Sequence, residues 1–371
     1  MPTSKKFLIP AFLVVVGLLV LWIWKIESTG KPDLRWHAGN ESRTPHAVAR
    51  ATNPLLSTLG RLREKPDRAG ALQTLKELQA TLQTMPRDEA LAWIRAFLES
   101  GQDQTTGLSF EIDSSGALTE WPTLRTFLLD ALLTIDPAAA ATLSRAILTT
   151  PTSADEWALA LRNVGRAESS AAANAYLIER TAALIANPAW QADPSIGYLN
   201  AFDVLVHTHA TDSTPLLSGL IQQKDRRDLA HAGFLTLDRL VQSDPAAVLP
   251  QLAADRALQQ SRPEMVANML ARADLRDATQ QQLVRTYLLE PTRTAAELNA
   301  FDGVYPSANF AISNNLLTAN PTLARDEIAA RDTAALGIIT TWLDDTAFAS
   351  IKPHLATIHN RLTTFVGQTR K

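Results

Sequence analysis

The chain contains no cysteine among its 371 residues. Disulfide bonds, thiolate metal sites and a cysteine nucleophile are therefore excluded. Runs in which Val, Ile, Thr and Tyr alternate with polar residues are also nearly absent, whereas Ala and Leu are abundant. Because alternating runs are typical of strands, and Ala and Leu favour helices, the sequence predicts a mainly α protein.

The chain also lacks a basic block. Its net charge is −3 at pH 7, and no stripe of Arg and Lys is interleaved with aromatic residues. Proteins that bind nucleic acids neutralise phosphates with such clusters, so we expect no nucleic-acid partner. The apolar content of 46% is too high for a disordered chain.

Motifs of known chemistry are missing as well. No G-x-S-x-G elbow, H-E-x-x-H motif, Walker loop or Rossmann glycine pattern occurs. His207 and His209 form the only close histidine pair, and residues two apart on a helix point about 200° apart, so they could not share a metal there. We therefore predict no catalytic, metal-binding or cofactor-binding residues, and we expect a protein that is not an enzyme.

One segment of the chain does carry a strong signal. Residues 7–24, from Phe7 to Trp24, read FLIPAFLVVVGLLVLWIW and contain no charge. A helix of this length spans about 27 Å, close to the hydrocarbon thickness of a bilayer. Two tryptophans at its end are typical of a membrane interface. We predict a single transmembrane helix after a short tail of residues 1–6, with the lipid bilayer as its partner.

A cleaved signal peptide is the alternative reading of this segment, with Ser28 and Gly30 as small residues near a cleavage site. Lys5 and Lys6 precede the segment and favour an N-terminus inside the cell. We expect a single-pass protein of the bacterial cytoplasmic (inner) membrane whose large domain is periplasmic or otherwise extracytoplasmic. Residues 25–53, rich in Gly and Pro, predict a flexible tether.

Residues 54–371 predict a helical domain with one interruption. Residues 107–118 read GLSFEIDSSGAL, in which Leu108, Phe110 and Ile112 alternate with polar residues before a turn-forming stretch. This pattern predicts a short β-hairpin inserted among the helices. An isolated hairpin is marginal in water, so we expect it to pack on helices.

The helical region contains an internal echo. LLDALLTIDPAA at residues 128–139 matches TLDRLVQSDPAA at residues 236–247, and NNLLTANPTL at residues 314–323 is a weaker copy. Proline disfavours a helical conformation in the residue before it and fits the first position of the next helix. Asp136 and Asp244 are therefore predicted helix N-caps, and Asn320 is placed in the corresponding position.

Further helix starts are predicted at Ser153, Asp212 and Asp274, with Ser153 and Glu156 forming a capping box. The separations of the echoes fit units of about 36–38 residues, the length of one helical hairpin. This pattern resembles HEAT-like or tetratricopeptide-like repeats in architecture. The resemblance implies an α-helical hairpin repeat array, like an α-solenoid, and a surface for macromolecular partners.

Two features are candidates for binding a partner. Phe301, Tyr305 and Phe310 lie within ten residues around Gly303 and Pro306. We expect Phe301 and Phe310 to be core and Tyr305 to be exposed, because a tyrosine hydroxyl prefers water or a partner. The second candidate is the hairpin with Trp121 beside it, where a free edge could accept a strand.

The functional prediction is a membrane-anchored, non-enzymatic protein-interaction scaffold or assembly factor of the cell envelope, with a protein partner of unknown identity. Two alternatives stay open. An envelope enzyme without a readable motif would show a deep pocket with converging carboxylates. A peptidoglycan-binding or polysaccharide-binding module would show a row of exposed aromatic residues.

Overall fold

The computed structural model describes residues 53–305, 315–320 and 322–369 of the chain. Helices dominate these residues, and the strands are few and short. The predicted mainly α class is therefore confirmed. Residues 7–24 and Phe310 lie outside the described residues. Within the described residues, no helix is long and apolar enough to cross a membrane.

The elements are numbered here in chain order, and their bounds are as follows. The first part contains α1 (Pro54–Arg63), α2 (Arg68–Thr84), α3 (Arg87–Glu99), β1 (Glu111–Ile112), β2 (Leu118–Glu120), α4 (Leu124–Ile135), α5 (Pro137–Ile147), α6 (Ala154–Ala167), α7 (Ala171–Ala186), α8 (Pro188–Ala192), α9 (Ile196–Asn200) and α10 (Asp203–His207). The second part contains α11 (Thr214–Ile221), α12 (Arg227–Ser243), α13 (Pro245–Ala254), α14 (Arg256–Ser261), α15 (Pro263–Leu270), α16 (Ala278–Leu288), α17 (Ala295–Val304), α18 (Arg325–Asp344) and α19 (Lys352–Thr369), with 3-10 helices at Thr211–Ser213 and Thr346–Ile351.

The Asp–Pro signals begin helices as predicted. Asp136 accepts hydrogen bonds from the backbone N–H groups of Ala138 and Ala139, both at 3.0 Å, at the start of α5. Asp244 accepts one from Ala247 N–H at 3.2 Å at the start of α13. The same device occurs where the sequence reading missed it, since the Asn–Pro pairs at residues 53–54 and 187–188 begin α1 and α8.

Other predicted helix starts need correction. No helix begins at Asn320, because residues 322–324 are irregular and α18 begins at Arg325 without a side-chain cap. Asp277, not Asp274, caps α16, and the Asp212 region forms a 3-10 helix. Ser153 does cap α6. The capping box is incomplete, since the Glu156 side chain instead pairs with an arginine.

The β-hairpin is confirmed. Strands β1 and β2 pair antiparallel, with Glu111 opposite Glu120 and Ile112 opposite Leu118. Asp113 orders the turn by accepting from the N–H groups of Ser115 and Ala117. The apolar residues Phe110, Ile112 and Leu118 of the hairpin belong to the same hydrophobic core as the helices, so the hairpin is packed rather than free-standing.

Most helices pack against helices that are close in sequence. Helix α5 packs on α6, α11 on α12, and α18 on α19. Helix α6 also packs on α9, and α15 packs on α17, although these pairs are further apart in sequence. A single continuous cluster of buried apolar side chains runs through the described helices, from Leu55 in α1 to Leu362 in α19. Such local pairing follows from short connections between amphipathic helices.

Candidate functional site

Tyr305 is not exposed, which corrects the prediction. Its residue is only 3% accessible, and Phe301 is 1% accessible. The two rings are stacked with centroids 5.4 Å apart and an interplanar angle of 10°. Burial raises the pKa of the Tyr305 hydroxyl. Phe301 therefore belongs to the core as predicted, and the ring of Tyr305 cannot serve as an exposed anchor.

Trp121 is also buried, at 7% accessibility. Its indole N–H donates to Asp130 at 2.8 Å, and its ring meets Phe127 edge to face at 5.1 Å. Both contacts fix the residue after β2 against α4. The side chain thus holds the hairpin in place, and its indole N–H is not free for a partner.

The core also contains ion pairs that could not be predicted from the sequence. Four pairs join different helices or turns with most of their side-chain surface buried: Arg125–Glu156, Arg162–Asp130, Arg239–Asp203 and Arg272–Asp238. Taking charges out of water costs several kcal/mol per ion unless the geometry and additional hydrogen bonds compensate. Because burial of these charges is costly, the ion pairs are candidates for holding other parts of the chain in a specific position.

The Arg239–Asp203 pair holds a non-helical segment of the chain itself, which bends at Leu316 and Leu317. We call residues 315–320, of sequence NLLTAN, the strap. Asp203 lies at the start of α10. One of its carboxylate oxygens accepts hydrogen bonds from the backbone N–H groups of Leu317 and Thr318, at 2.7 and 3.0 Å. Its other oxygen accepts the Thr318 hydroxyl and Arg239. One buried carboxylate thus binds two consecutive peptide N–H groups.

The carbonyl groups of the strap are bound by arginines. Arg239, from α12, donates to the Ala319 carbonyl at 3.2 Å and to the Thr318 hydroxyl. Arg166, from α6, donates to the Leu316 carbonyl at 3.3 Å. Since these partners are backbone groups and one hydroxyl, most of this recognition does not depend on the side chains of the bound segment.

Two glycines let the strap approach closely. A Cβ atom at Gly116, in the hairpin turn, would lie 2.5 Å from the Leu316 carbonyl oxygen. A Cβ atom at Gly165, in α6, would lie 2.8 Å from a methyl group of Leu317. Leu316 itself is fully buried in the core. The hairpin, α6, α10 and α12 therefore form one groove, which the strap fills.

The groove continues as an open cleft on each side of the Asp203–Arg239 pair. The first cleft, about 210 Å³, is lined by Asp203, Asp228, His231, Arg239 and residues of α9 and α12. The second, about 310 Å³, is lined by Arg239, His207, His209 and residues 317–319 of the strap. Arg239 borders both clefts, and its buried Nε has no hydrogen-bond partner. The strap therefore leaves room beside it for further groups.

The two histidines lie at the end of α10. His207 is the last residue of that helix, and His209 follows with a left-handed φ of 51°. Burial lowers the pKa of the His207 imidazole, which favours its neutral form. Within residues 53–305, 315–320 and 322–369, no three His, Asp or Glu side chains are grouped to hold a metal ion.

A separate small cavity of about 30 Å³ lies beside the Tyr305 ring. Arg272, Asp274, Arg331 and Asp332 contribute polar groups to its lining. Burial raises the pKa of the Asp332 carboxyl. Burial also opposes ionisation of Asp274, yet its hydrogen bonds with Arg276 leave the pKa of its carboxyl lowered overall. The two carboxyl groups of one cavity thus have different electrostatic environments.

Comparison with known proteins adds no relative. No protein-family model, no curated protein and no solved structure matches the chain. The functional argument therefore depends on the groove and the cavity described above.

Proposed function

We propose that the protein is a non-enzymatic protein-interaction scaffold or assembly factor of the cell envelope, which binds a short non-helical segment of a partner protein. One observation supports this proposal: the groove between the hairpin, α6, α10 and α12 already holds a non-helical segment, the strap, by its backbone. In peptide recognition, hydrogen bonds to the backbone supply affinity and pockets for side chains supply specificity.

The contacts define the chemistry of the segment that fits. A leucine-sized side chain at the Leu316 position fills a fully buried site. A small hydroxyl residue at the Thr318 position contacts both Asp203 and Arg239. The partner segment is therefore a non-helical chain with an aliphatic residue two positions before Ser or Thr. In the partner-bound form, this segment replaces the strap.

The direct test uses a fluorescent peptide with the strap sequence, Asn-Leu-Leu-Thr-Ala-Asn, and the full-length protein. In wild-type protein the strap competes with the peptide. Leu316→Asp places a charge at a buried site and weakens the strap. We expect saturable binding to this variant and weaker binding to wild type. Adding Asp203→Asn should abolish it.

A control peptide with Asp at the first leucine should not bind to either protein. The proposal is rejected if the Leu316→Asp variant still melts cooperatively and binds neither peptide. With binding established, co-purification from detergent-solubilised membranes should recover a partner with wild-type protein and lose it with Asp203→Asn.

We further propose that the helices form an array of α-helical hairpins, like an α-solenoid. Pairing of helices that are near neighbours in sequence, and the Asp–Pro caps 108 residues apart at Asp136 and Asp244, support this arrangement. The same caps predict that each begins the second helix of a pair. Such arrays offer extended surfaces for binding other macromolecules.

The proposed localisation is the bacterial cytoplasmic membrane, with residues 7–24 as the anchor and the helical domain outside the cytoplasm. The apolar sequence of this segment supports the proposal. Full-length protein should stay in membranes after a high-salt or carbonate wash, because apolar burial is insensitive to salt. Recovery of a soluble envelope form that begins near Gly30 would replace the anchor with a cleaved signal peptide.

The polysaccharide-binding alternative receives less support. Among the described residues, the exposed large hydrophobic side chains are Leu56, Ile196 and Phe365. Only one of these is aromatic, so the described helices present no row of aromatic rings on which sugars could stack.

A further inference from the structure

A third cleft, of about 630 Å³, adjoins the first of the two clefts beside the strap. Most of the polar side chains that line it are basic, and we call it the basic cleft. Its lining includes Lys224, Arg227, Arg262, His231, Asp228 and Met265. Asp228 and His231 also line the first cleft, so the two clefts share a border.

The cations of the basic cleft are not neutralised by ion pairs. Among the described residues, no carboxylate lies within ion-pair distance of Lys224, Arg227 or Arg262. Arg262 donates to two backbone carbonyl groups, at 2.8 and 3.2 Å, which position its guanidinium without cancelling the charge. The carboxylate in the lining, Asp228, already pairs with Arg226 at 3.0 Å. Three positive charges thus remain available to a ligand.

One side of α12 lines all three clefts in order. Arg227 and His231 line the basic cleft, His231, Leu235 and Arg239 line the first cleft, and Arg239 and Gln242 line the second. Residues three or four apart lie on the same side of a helix, so these side chains follow one another along α12. The clefts therefore form one trough, which is about 22 Å long from Arg227 to Gln242 at about 1.5 Å per residue.

The strap runs along this trough in a defined direction. Asn315 lines the first cleft, whereas residues 317–319 line the second. A segment that replaces the strap in the same direction therefore places its upstream residues toward the basic cleft. The residues upstream of the strap in this chain, 306–314, contain no Asp or Glu. The protein's own segment thus supplies no carboxylate to the basic cleft.

We infer that the partner segment carries acidic residues upstream of its buried aliphatic residue, and that their carboxylates bind Lys224, Arg227 and Arg262. This inference rests on the proposed function and adds the charge of the partner to it. Arg227 and Arg239 are about 18 Å apart along the axis of α12, a distance that an extended chain covers in about five or six residues. Because the hydroxyl residue contacts Arg239, the carboxylates should lie about three or four positions before the aliphatic residue.

The acidic residues give the partner contacts that the strap cannot make. The strap belongs to the same chain and therefore competes at a high effective concentration. Ion pairs with the basic cleft offset this disadvantage, and charges of opposite sign also accelerate the encounter of the two proteins.

The test compares three fluorescent peptides on the full-length Leu316→Asp variant in a mild detergent. The acidic peptide is Glu-Glu-Glu-Ser-Asn-Leu-Leu-Thr-Ala-Asn, and the neutral peptide has Gln in place of each Glu. The third peptide carries the acidic residues downstream, as Asn-Leu-Leu-Thr-Ala-Asn-Ser-Glu-Glu-Glu. We expect the acidic peptide to bind about fivefold to fiftyfold more tightly than the neutral peptide, as a few exposed ion pairs predict. This gain should shrink between about 0.05 and about 0.5 M salt.

Two charge variants, both made in the Leu316→Asp background, locate the effect. Lys224→Gln with Arg227→Gln should abolish the difference between the acidic and neutral peptides and leave the affinity of the neutral peptide unchanged. Lys76→Gln with Arg95→Gln is the matched control, because it removes two exposed cations outside the trough and should keep the difference. All four residues are exposed, so both variants should fold.

Three results would overturn the inference: no tighter binding of the acidic peptide, an equal gain with downstream acidic residues, or an undiminished gain in Lys224→Gln with Arg227→Gln. In each case, binding of the neutral peptide leaves the proposed function intact. If none of the peptides binds, the proposed function itself is rejected, and the inference with it. Displacement of the acidic peptide by inorganic phosphate, beyond the effect of chloride at equal ionic strength, would assign the basic cleft to a phosphate group and not to an acidic peptide.

Discussion

Removal of the Asp203 carboxylate should release the strap. Asp203→Ala deletes the acceptor of the Leu317 and Thr318 amides and leaves Arg239 without its buried counter-ion. The side chains of Asp203 and Arg239 are only 5% and 6% accessible, so most of their polar surface is shielded from water. Breaking a buried pair in this way costs about 3–5 kcal/mol.

Replacing the other member of the pair, Arg239, should reduce stability by a smaller amount. In Arg239→Met, the Asp203 carboxylate keeps two backbone donors and the Thr318 hydroxyl, and the methionine stem keeps much of the packing. We expect a loss of about 1–3 kcal/mol, the cost of one unsatisfied partner. The double variant should lose less stability than the sum of the two single losses. The difference should be about 0.5–3 kcal/mol, because the two residues are in direct contact.

Hydrogen exchange read by mass spectrometry is the suitable assay, because it reports the strap separately from the rest of the chain. In Asp203→Ala, the amides of Leu317 and Thr318 should exchange faster by about a hundredfold or more, the factor for a loss of 3 kcal/mol. Amides in the buried part of α6 should change little. Asp228→Ala is the control, since this residue lines the same groove but pairs with Arg226 at the surface.

Two results would refute this reasoning. Unchanged exchange at Leu317 and Thr318 in Asp203→Ala would mean that the carboxylate does not hold the strap. Equal losses of protection in Asp203→Ala and Asp228→Ala would mean that the effect comes from any change in charge and not from the contact with the strap. A surface ion pair contributes only about 0–1 kcal/mol, so Asp228→Ala should change little.

Three further predictions concern stability. Asp136→Ala and Asp244→Ala each remove a helix N-cap and should cost about 0.5–2 kcal/mol in thermal melts, and no loss in either would argue against capping. Tyr305→Ala should cost about 3–5 kcal/mol, because its ring is buried, whereas Tyr305→Phe should stay near wild type. Burial raises the pKa of Asp332 above its ordinary value of 3.8, so folding favours the protonated form, and stability falls as pH rises through the folded pKa. Asp332→Asn should therefore be more stable than wild type at pH 7, with the difference lost below pH 3.8, and a destabilised variant at pH 7 would contradict this reasoning.

Local signals in the sequence were reliable where one physical effect acts alone. The Asp–Pro caps follow from the conformational limits of proline and from the unpaired N–H groups at a helix start, and both lie within four residues. The hairpin follows from alternation and a turn in twelve consecutive residues. Neither inference requires knowledge of what packs against the segment.

Tyr305 shows two local signals in conflict. Gly303 and Pro306 favoured a loop, and the tyrosine hydroxyl favoured solvent. Phe301 and Tyr305 are also four residues apart, which places them on one face of a helix. The helix extends through Gly303 to Val304, and the Tyr305 N–H bonds to the Phe301 carbonyl. Packing of the two rings outweighs the cost of a glycine inside a helix, about 1 kcal/mol.

The groove could not be predicted, because its partners are far apart in the chain. Asp203 and Arg239 are separated by 36 residues, and Asp203 and Thr318 by 115. A charged residue in a helical pattern is usually solvated, so composition and periodicity give no reason to pair these side chains. Only the tertiary arrangement of α6, α10 and α12 brings the carboxylate and the guanidinium to one place.

The strap shows how such an arrangement overrides a local preference. Its sequence resembles two segments that end helices, and its Asn–Pro pair has the same form as those that begin α1 and α8. A lone helical turn is costly to nucleate, whereas Asp203 offers its peptide N–H groups a buried, charged acceptor. The non-helical form of the strap is therefore selected by the groove. Because Asp203 and Arg239 bind mainly backbone, another chain with a suitable leucine and hydroxyl residue can compete for the same contacts, and the equilibrium between strap and partner then depends on their relative affinities.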